Sequence, residues 1–348
     1  MTKQKILVTG GNGFLGRAIV DELLEDSKVL NHDVIRILDK NENSFITDSR
    51  IEYLQGDVRN YEDVNKACKG MNVVFHTAAI VDWGIIPENE VLDINVGGTE
   101  NIIKACKETK VEVLVFTSSL DAVYSGKPLV NIDESQPYPK IHRTSYCKSK
   151  FLGEKRVQEI PKGQLKNCIL RPSDIYGERD PYHIDALVEM SKNGFYVRLG
   201  NGKSRCQHVY VGNMAHAHLL AAKALLENNE KVNGSIYFIT DGPGENFFKF
   251  FDAIVKAAGY KIWPKNLWLP RRLAYSMGSI SEFVAFLMRP IKRYVPKFSR
   301  FAVAYTCTDF TFNSDKAEND FGFVPKYSSK DAFERTVSYF RKGIYNQS

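Results

Sequence analysis

A strand that runs into VTGGNGFLG (8–16) constrains this chain more than any other feature. KILVTG (5–10) is an apolar run ending in glycines, and Phe14–Leu24 carries apolar residues at 14, 15, 18, 19, 23 and 24, a helical spacing. Between them lies Gly11-x-Gly13-x-x-Gly16, which also reads as Gly10-x-x-Gly13-x-x-Gly16. Glycines permit the tight turn and let backbone approach a pyrophosphate, and the helix N-terminus adds N–H donors and a favourable dipole. The spacing alone is a weak signal; the strand–turn–helix context makes it a strong one. Phe14 and Leu15 belong to the same turn. Asp39 ends the second apolar run, 23 residues after Gly16, where an acid can hydrogen-bond an adenosine ribose. A carboxylate there repels a 2′-phosphate, so the expected cofactor is NAD rather than NADP. Asp57, with Val58 after it, ends the third run and either meets the adenine or caps a helix. Ala78 and Ala79 end the fourth, small enough to let a cofactor pass closely.

Short apolar runs alternate with helix-like stretches through residue 180. The runs are 33–39, 51–57, 72–79, 111–119 and 168–177, with a helix near 90–109 and another from about Ser145 to Gln158. This rhythm predicts an α/β fold, a doubly wound parallel sheet of Rossmann type with right-handed crossovers. Ligands in such sheets sit beyond the C-terminal strand ends, where strand order reverses. Residues 1–180 are expected to form the cofactor domain, completed by segments near 205–240. Residues 181–348 are expected to be mainly a smaller, mostly helical substrate lobe.

The 348 residues are 43% hydrophobic and 25% charged, ordinary globular usage that excludes a disordered, collagenous or coiled-coil protein. The net charge of +6 is local: residues 261–300 hold nine Lys/Arg and one Glu, so the rest sums to −2. A general nucleic-acid surface is therefore not expected. The six cysteines (68, 106, 147, 168, 206, 307) form no Cys-x-x-Cys pair, and His216 and His218 fall on different faces of a helix, so no metal site is expected. MTKQKILVTG lacks the apolar region of a secretory leader, which argues for an intracellular protein, cytoplasmic or membrane-associated. LAYSMGSISEFVAFLM (273–288) is too short and too polar to span a membrane comfortably. Its apolar residues at 273, 277, 280, 284 and 287 make one stripe between basic flanks, the pattern of an interfacial helix or of an ordinary lobe helix.

Ser118 and Ser119 end the fifth run, and Tyr146-x-x-x-Lys150 follows 27 residues after Ser119. A Tyr and a Lys at i and i+4 share a helix face. An ammonium there is expected to lower the tyrosine pKa and make it a usable acid/base.

With these motifs the chain resembles the extended short-chain dehydrogenase/reductase family. The matching segments are TGGNGFLG, FHTAA (75–79), NVGGT (95–99), TSS (117–119), SYCKSK (145–150) and RPSDIYG (171–177). More narrowly it resembles the 3β-hydroxysteroid dehydrogenase branch, through HVYVGNMAHAHLLAAKAL (208–225) and the order LMRPIKRY…FTF…KAENDFGFVPKYS. The resemblance covers nearly the whole chain. It implies that Tyr146 is the general acid/base and that Lys150 tunes it and holds the nicotinamide ribose. Ser119 would bond the reacting oxygen. Asn95 would serve a proton relay or fix helix to sheet, and Pro172 and Ser173 would line the nicotinamide pocket. The implied reaction is NAD-dependent oxidation of a 3β-hydroxyl on a steroid or sterol. A 4-carboxysterol would then lose CO2, and Δ5–Δ4 isomerisation is a further option. GERDP (177–181) and GNGKS (200–204) tilt the reading towards the sterol-carboxylate members. Trp83, Tyr124 and His183 are the substrate-wall candidates, followed by Tyr182 and Trp268. Family dimers imply a homodimer. The alternatives are a UDP-sugar epimerase or dehydratase and a non-catalytic NAD-binding sensor. The apolar, basic lobe and the intact Ser–Tyr–Lys set speak against them.

Overall fold

The computed structural model describes residues 3–42, 47–288 and 299–341. Seven parallel strands form the central sheet: β1 Gln4–Thr9, β2 His32–Asp39, β3 Ile51–Gln55, β4 Val73–His76, β5 Val113–Thr117, β6 Lys166–Pro172 and β7 Ser235–Ile239. Their order is β7-β6-β5-β4-β1-β2-β3, so the chain reverses its direction of growth between β1 and β4. The period of two decides which side each residue serves. Ile6 and Val8 join one apolar cluster, with the Phe14–Glu25 and Val211–Leu226 helices, and Leu7 joins the other, with Ile102, Leu114 and Ile169. Both faces are covered, which is why these strands read as nearly continuous apolar runs.

The expected strands are present, with ends moved by a few residues. The fourth stops at His76, so Ala78 and Ala79 lie on the loop beyond it. The 168–177 run breaks after Pro172, and Asp174–Tyr176 pairs instead with His208–Tyr210. The helix expected over 90–109 is interrupted by a wider turn at Asp93–Gly97, between Glu88–Leu92 and Gly98–Thr109. Such turns favour functional regions, and this one carries Asn95. The C-terminal half adds the helices Ile184–Lys192, Phe247–Ala257, Arg271–Met288, Arg300–Thr306 and Ser329–Phe340.

Two glycines are required by the first turn. Gly10 has φ +68, and a side chain on it would come within 2.9 Å of Ala78 Cα. A Cβ on Gly16 would lie 2.1 Å from the Gly10 carbonyl oxygen, so the helix can close on the turn only without one.

Candidate functional site

A cavity of about 420 Å³ opens over the C-terminal ends of β1, β4, β5 and β6, at the reversal of strand order. Gly10, Gly13, Phe14, Leu15 and Gly16 line one end, and Trp83, Tyr182, His183, Phe301 and Tyr305 line the other. Ser119, Tyr146 and Lys150 stand between them.

At the glycine end, Asp39 accepts the Asn12 N–H on one oxygen (3.1 Å) and the Asn41 N–H on the other (3.0 Å), which fixes the carboxylate at the rim. Asp57 and Val58 line the next stretch. Asp57 is ion-paired to Arg59 at 2.6 Å, and that hydrogen bond lowers its pKa. The helix cap comes from Asn60 instead of Asp57: Asn60 accepts the Glu62 N–H at 3.0 Å. Ala78 and Ala79 line the cavity with single methyl groups that leave it open, and Pro172 and Ser173 line it as well. The Ser173 hydroxyl is buried with no hydrogen-bond partner among the described residues, as a group awaiting a ligand would be. A cradle closed to side chains, a rim carboxylate and an orphaned hydroxyl along one cavity fit an extended dinucleotide with a free adenosine ribose.

The Ser145–Gln158 helix carries the Tyr–Lys pair. Thr144 caps it by accepting the Cys147 N–H at 3.1 Å, which sets where the first turn begins and aims Tyr146 and Lys150 at the cavity. Lys150 is buried, and its Nζ donates to the Thr117 carbonyl at 2.9 Å, 5.7 Å from the Tyr146 ring centre. Burial pulls its pKa down to about 8. Sequence reasoning expected Lys150 to lower the tyrosine pKa, and the structure corrects this. Burial, and then the Asp121 carboxylate, hold the Tyr146 hydroxyl well above its ordinary value. One ammonium proton of Lys150 is given to the Thr117 carbonyl, and no hydrogen bond among the described residues joins the ammonium to the phenol.

The two serines have separate partners. Ser118 donates to Glu154, within a buried network in which Arg171 meets Glu154 (Nη2–Oε2 2.7 Å) and Tyr138 donates to it (2.6 Å). Ser119 donates to Asp121 Oδ2 at 2.8 Å. Its proton is therefore committed to Asp121, and the donor expected at the reacting oxygen is not yet free. Asn95 does not reach the cavity. It accepts the Ile80 N–H (2.8 Å) and donates to the Ile80 carbonyl (3.0 Å) and to Ser149 Oγ (2.9 Å), clamping the loop after β4 to the Tyr–Lys helix.

At the far end Trp83 packs its ring against His183, Phe301 and Tyr305, with centroids 6.0–6.3 Å apart. Burial alone would lower the His183 pKa, but the Asp180 and Asp174 carboxylates outweigh it and push it up to about 9. Asp180 Oδ2 is 3.5 Å from His183 Nδ1. Tyr305 donates to Asp174 at 2.6 Å. Two expectations fail here. Tyr124 is fully buried behind the wall, its ring against Phe301, Tyr305 and Phe310, because the short turn at 120–123 aims it into that aromatic cluster. Trp268 pairs as part of a two-stranded ribbon and packs on Phe248, outside the cavity. Sequence reasoning missed Asp121, Asp174, Phe301 and Tyr305. Asp121, two residues after Ser119, and Asp174, next to Ser173 in RPSDIYG, had local signals; Phe301 and Tyr305 arrive from the lobe with none.

Residues 7–271 match the model of the 3-beta hydroxysteroid dehydrogenase/isomerase family. The chain is 32% identical over 345 residues to a Schizosaccharomyces pombe sterol-4-alpha-carboxylate 3-dehydrogenase, decarboxylating, covering 97% of this chain and 98% of that one. Among solved structures it shares its fold with Thermus thermophilus UDP-glucose 4-epimerase complexed with NAD (TM-score 0.72, 23% identity, 97% and 99% of the two chains). It also shares it with Streptomyces venezuelae dTDP-glucose 4,6-dehydratase with NAD bound (TM-score 0.76, 19% identity, 97% of each chain). By sequence, fold and cofactor cradle together, the chain belongs to the 3-beta hydroxysteroid dehydrogenase/isomerase family and is an NAD-dependent oxidoreductase acting on an alcohol.

Proposed function

We propose that this protein oxidises the 3β-hydroxyl of a 4-carboxysterol, the class named for its fungal relative, and that the resulting β-keto acid loses CO2. The observation that carries this reading is one cavity joining a dinucleotide cradle to an aromatic wall, with Ser119, Tyr146 and Lys150 at the junction. In that reading Gly10, Gly13, Phe14, Leu15, Gly16, Asp39, Asp57, Val58, Ala78, Ala79, Pro172 and Ser173 hold NAD, which accepts the hydride leaving the carbinol carbon. Tyr146 takes the hydroxyl proton. Lys150 holds the nicotinamide ribose, and its ammonium together with the positive nicotinamide of bound NAD would supply the charge that offsets burial and Asp121 at the phenol. Ser119 bonds the reacting oxygen. Asn95 keeps the Tyr–Lys helix in register with the loop after β4. Trp83 and His183 bound the substrate. The new C3 carbonyl then accepts the electron pair left when the C4 carboxylate departs as CO2.

The lobe suits a lipid substrate. The Arg271–Met288 helix buries Ala274, Gly278 and Ala285 and packs, with Gly278 against Arg300, on the Arg300–Thr306 helix, which supplies Phe301 and Tyr305 to the cavity. On its other side Leu273, Met277, Ile280, Phe283, Val284 and Leu287 are 41–64% exposed. No helix among the described residues is long and apolar enough to cross a membrane. The reading is therefore an interfacial helix resting on an anionic membrane beside the cavity mouth. Arg289, Lys292 and Arg293, which would flank it, lie outside the described residues. Neutralising these three is expected to weaken co-sedimentation with phosphatidylserine vesicles, and unchanged binding overturns this part of the reading. A homodimer through the cofactor half completes it, checked by light scattering.

The test of the activity is NADH formation with NAD and a 4α-carboxysterol, a plain 3β-hydroxysteroid or a 3-hydroxy fatty acid. Turnover of the carboxysterol with release of CO2 is expected. Silence on both steroids, with NAD still bound, overturns it.

A further inference from the structure

Asp121 stands at the junction without a part in the reading above. Its side chain is buried and lines the cavity. Oδ2 accepts the Ser119 hydroxyl at 2.8 Å, Oδ1 accepts the Cys147 thiol at 3.7 Å, and the Asp121 N–H donates back to Ser119 Oγ at 3.1 Å. Ser119 has one proton and two lone pairs. The proton and one lone pair are committed to Asp121, so what remains is an acceptor lone pair, which the Tyr146 hydroxyl also faces. An acceptor suits a ligand hydroxyl but offers nothing to a carbonyl or to charge developing on oxygen. A proton on Asp121 reverses the pattern: the carboxyl O–H donates to Ser119 Oγ, and the serine O–H is released to the ligand.

Every element packed on Asp121 contributes a titratable or charged group. The Tyr–Lys helix brings Tyr146, Cys147 and Lys150, the Asp174–Tyr176 strand brings Asp174, the Arg300–Thr306 helix brings Tyr305, and the end of its own turn brings Tyr124. Lys150 is the cation of the set, and its ammonium is held by the Thr117 carbonyl. Among the described residues no ion pair neutralises Asp121. Burial accordingly pushes the Asp121 pKa up to about 6 against the Ser119 hydrogen bond, and the Asp174 carboxylate adds to the rise. A bulky apolar ligand that displaces water from the cavity pushes in the same direction.

We propose that Asp121 is a positioning residue that takes up a proton from solvent when an apolar ligand closes over it, and thereby turns the Ser119 hydroxyl from the carboxylate to the ligand oxygen. This rests on the steroid reading and on the place of Ser119 given above. No carbon bond changes in the step, and the proton returns to solvent when the ligand leaves.

The test is binding of a plain 3-oxosteroid to the protein–NAD⁺ complex, which cannot be reduced there. Dissociation constants are followed by protein fluorescence from pH 5 to 8.5, and proton uptake by calorimetry in two buffers of different ionisation heat. Wild type is expected to weaken with rising pH, approaching about tenfold per unit once free Asp121 is ionised. It should take up close to one proton per site near pH 7. Asp121→Asn, whose amide can donate to Ser119 at any pH, is expected to bind with that part of the slope and of the uptake removed. His183, which Asp121 does not hold, remains in both proteins, so its contribution cancels in the difference. Wild-type binding without proton uptake overturns the proposal whether or not the variant folds. Uptake unchanged in a variant that binds NAD normally overturns it too. Failure of any 3-oxosteroid to bind the NAD⁺ complex overturns the steroid reading and this proposal with it.

Discussion

The cavity has two walls, and they are built differently. On the β1–β4 side the lining comes from contiguous motifs at strand ends, and its contacts are backbone or short polar groups: the glycine turn, Asp39 held by two N–H groups, Ala78 and Ala79. On the far side Trp83, His183, Phe301 and Tyr305 meet across more than two hundred residues of chain, and their contacts are ring against ring. The first wall is dictated by sheet topology and has little freedom. The second is an assembly of side chains on an adaptable lobe, so substrate choice can change there while the cofactor wall stays fixed. Tyr146 sits where the two meet, and its loss tests the junction itself. Tyr146→Phe is expected to lower kcat for the sterol by about 10²–10⁴-fold, the range for a lost general acid/base. Fluorescence titration should find NAD affinity nearly intact. A loss under tenfold would put the proton transfer elsewhere.

The cofactor wall can be broken by one methyl group. On Gly16 it would sit 2.1 Å from the Gly10 carbonyl oxygen, so the turn must open or the helix must shift. With strain of about 1–3 kcal/mol, Gly16→Ala is expected to weaken NAD binding by roughly ten- to a hundredfold. Sterol binding measured without cofactor should change far less. Equal losses of both would mean that the two walls are not separable.

The difference between the walls also explains what was legible in the sequence. Alternating apolar runs and the glycine spacing are local signals, and they located the sheet, the turn and Tyr146–Lys150 directly. Asn95 was also flagged, but not its geometry, because a widened turn has no spacing signature. The partner of Ser119 could have been read two residues on, at Asp121. Phe301 and Tyr305 could not, because an aromatic on a lobe helix looks the same whether it fills a core or faces a ligand. Tyr124 and Trp268 illustrate this: both were candidates for the substrate wall, and both are packing residues behind or beyond it. The pKa of Tyr146 was misjudged for a related reason. Helical spacing placed the ammonium near the phenol but said nothing of the Thr117 carbonyl that holds it or of Asp121 behind it.

If the far wall holds the substrate through ring packing, removing one ring should act on affinity and spare the chemistry. Trp83 touches three other rings of the wall. Trp83→Ala is expected to raise KM for the sterol about tenfold, close to the 1–2 kcal/mol of a buried aromatic anchor. Changes in kcat and in NAD affinity should stay within about threefold. A fall in kcat with KM unchanged would make Trp83 an orienting group rather than an anchor.

The last effect, on stability rather than turnover, belongs to the charged ring of that wall. Burial works against a charged His183, yet Asp180 and Asp174 hold its pKa up to about 9 from 6.5. Between those two values the native protein binds more protons than the unfolded chain, so stability must fall as pH rises through that window. The contribution is complete below 6.5 and gone above about 9. Unfolding free energies from urea titrations at pH 6 and pH 9 should therefore differ by more in wild type than in His183→Asn, by about 1–3 kcal/mol. If the two proteins lose stability in parallel, His183 is neutral in the native state and the far wall is held by packing alone. If they diverge as expected, that wall carries a positive charge beside Asp174 and Asp180 at neutral pH. A ligand entering past Trp83 then meets a paired imidazolium rather than a purely apolar surface.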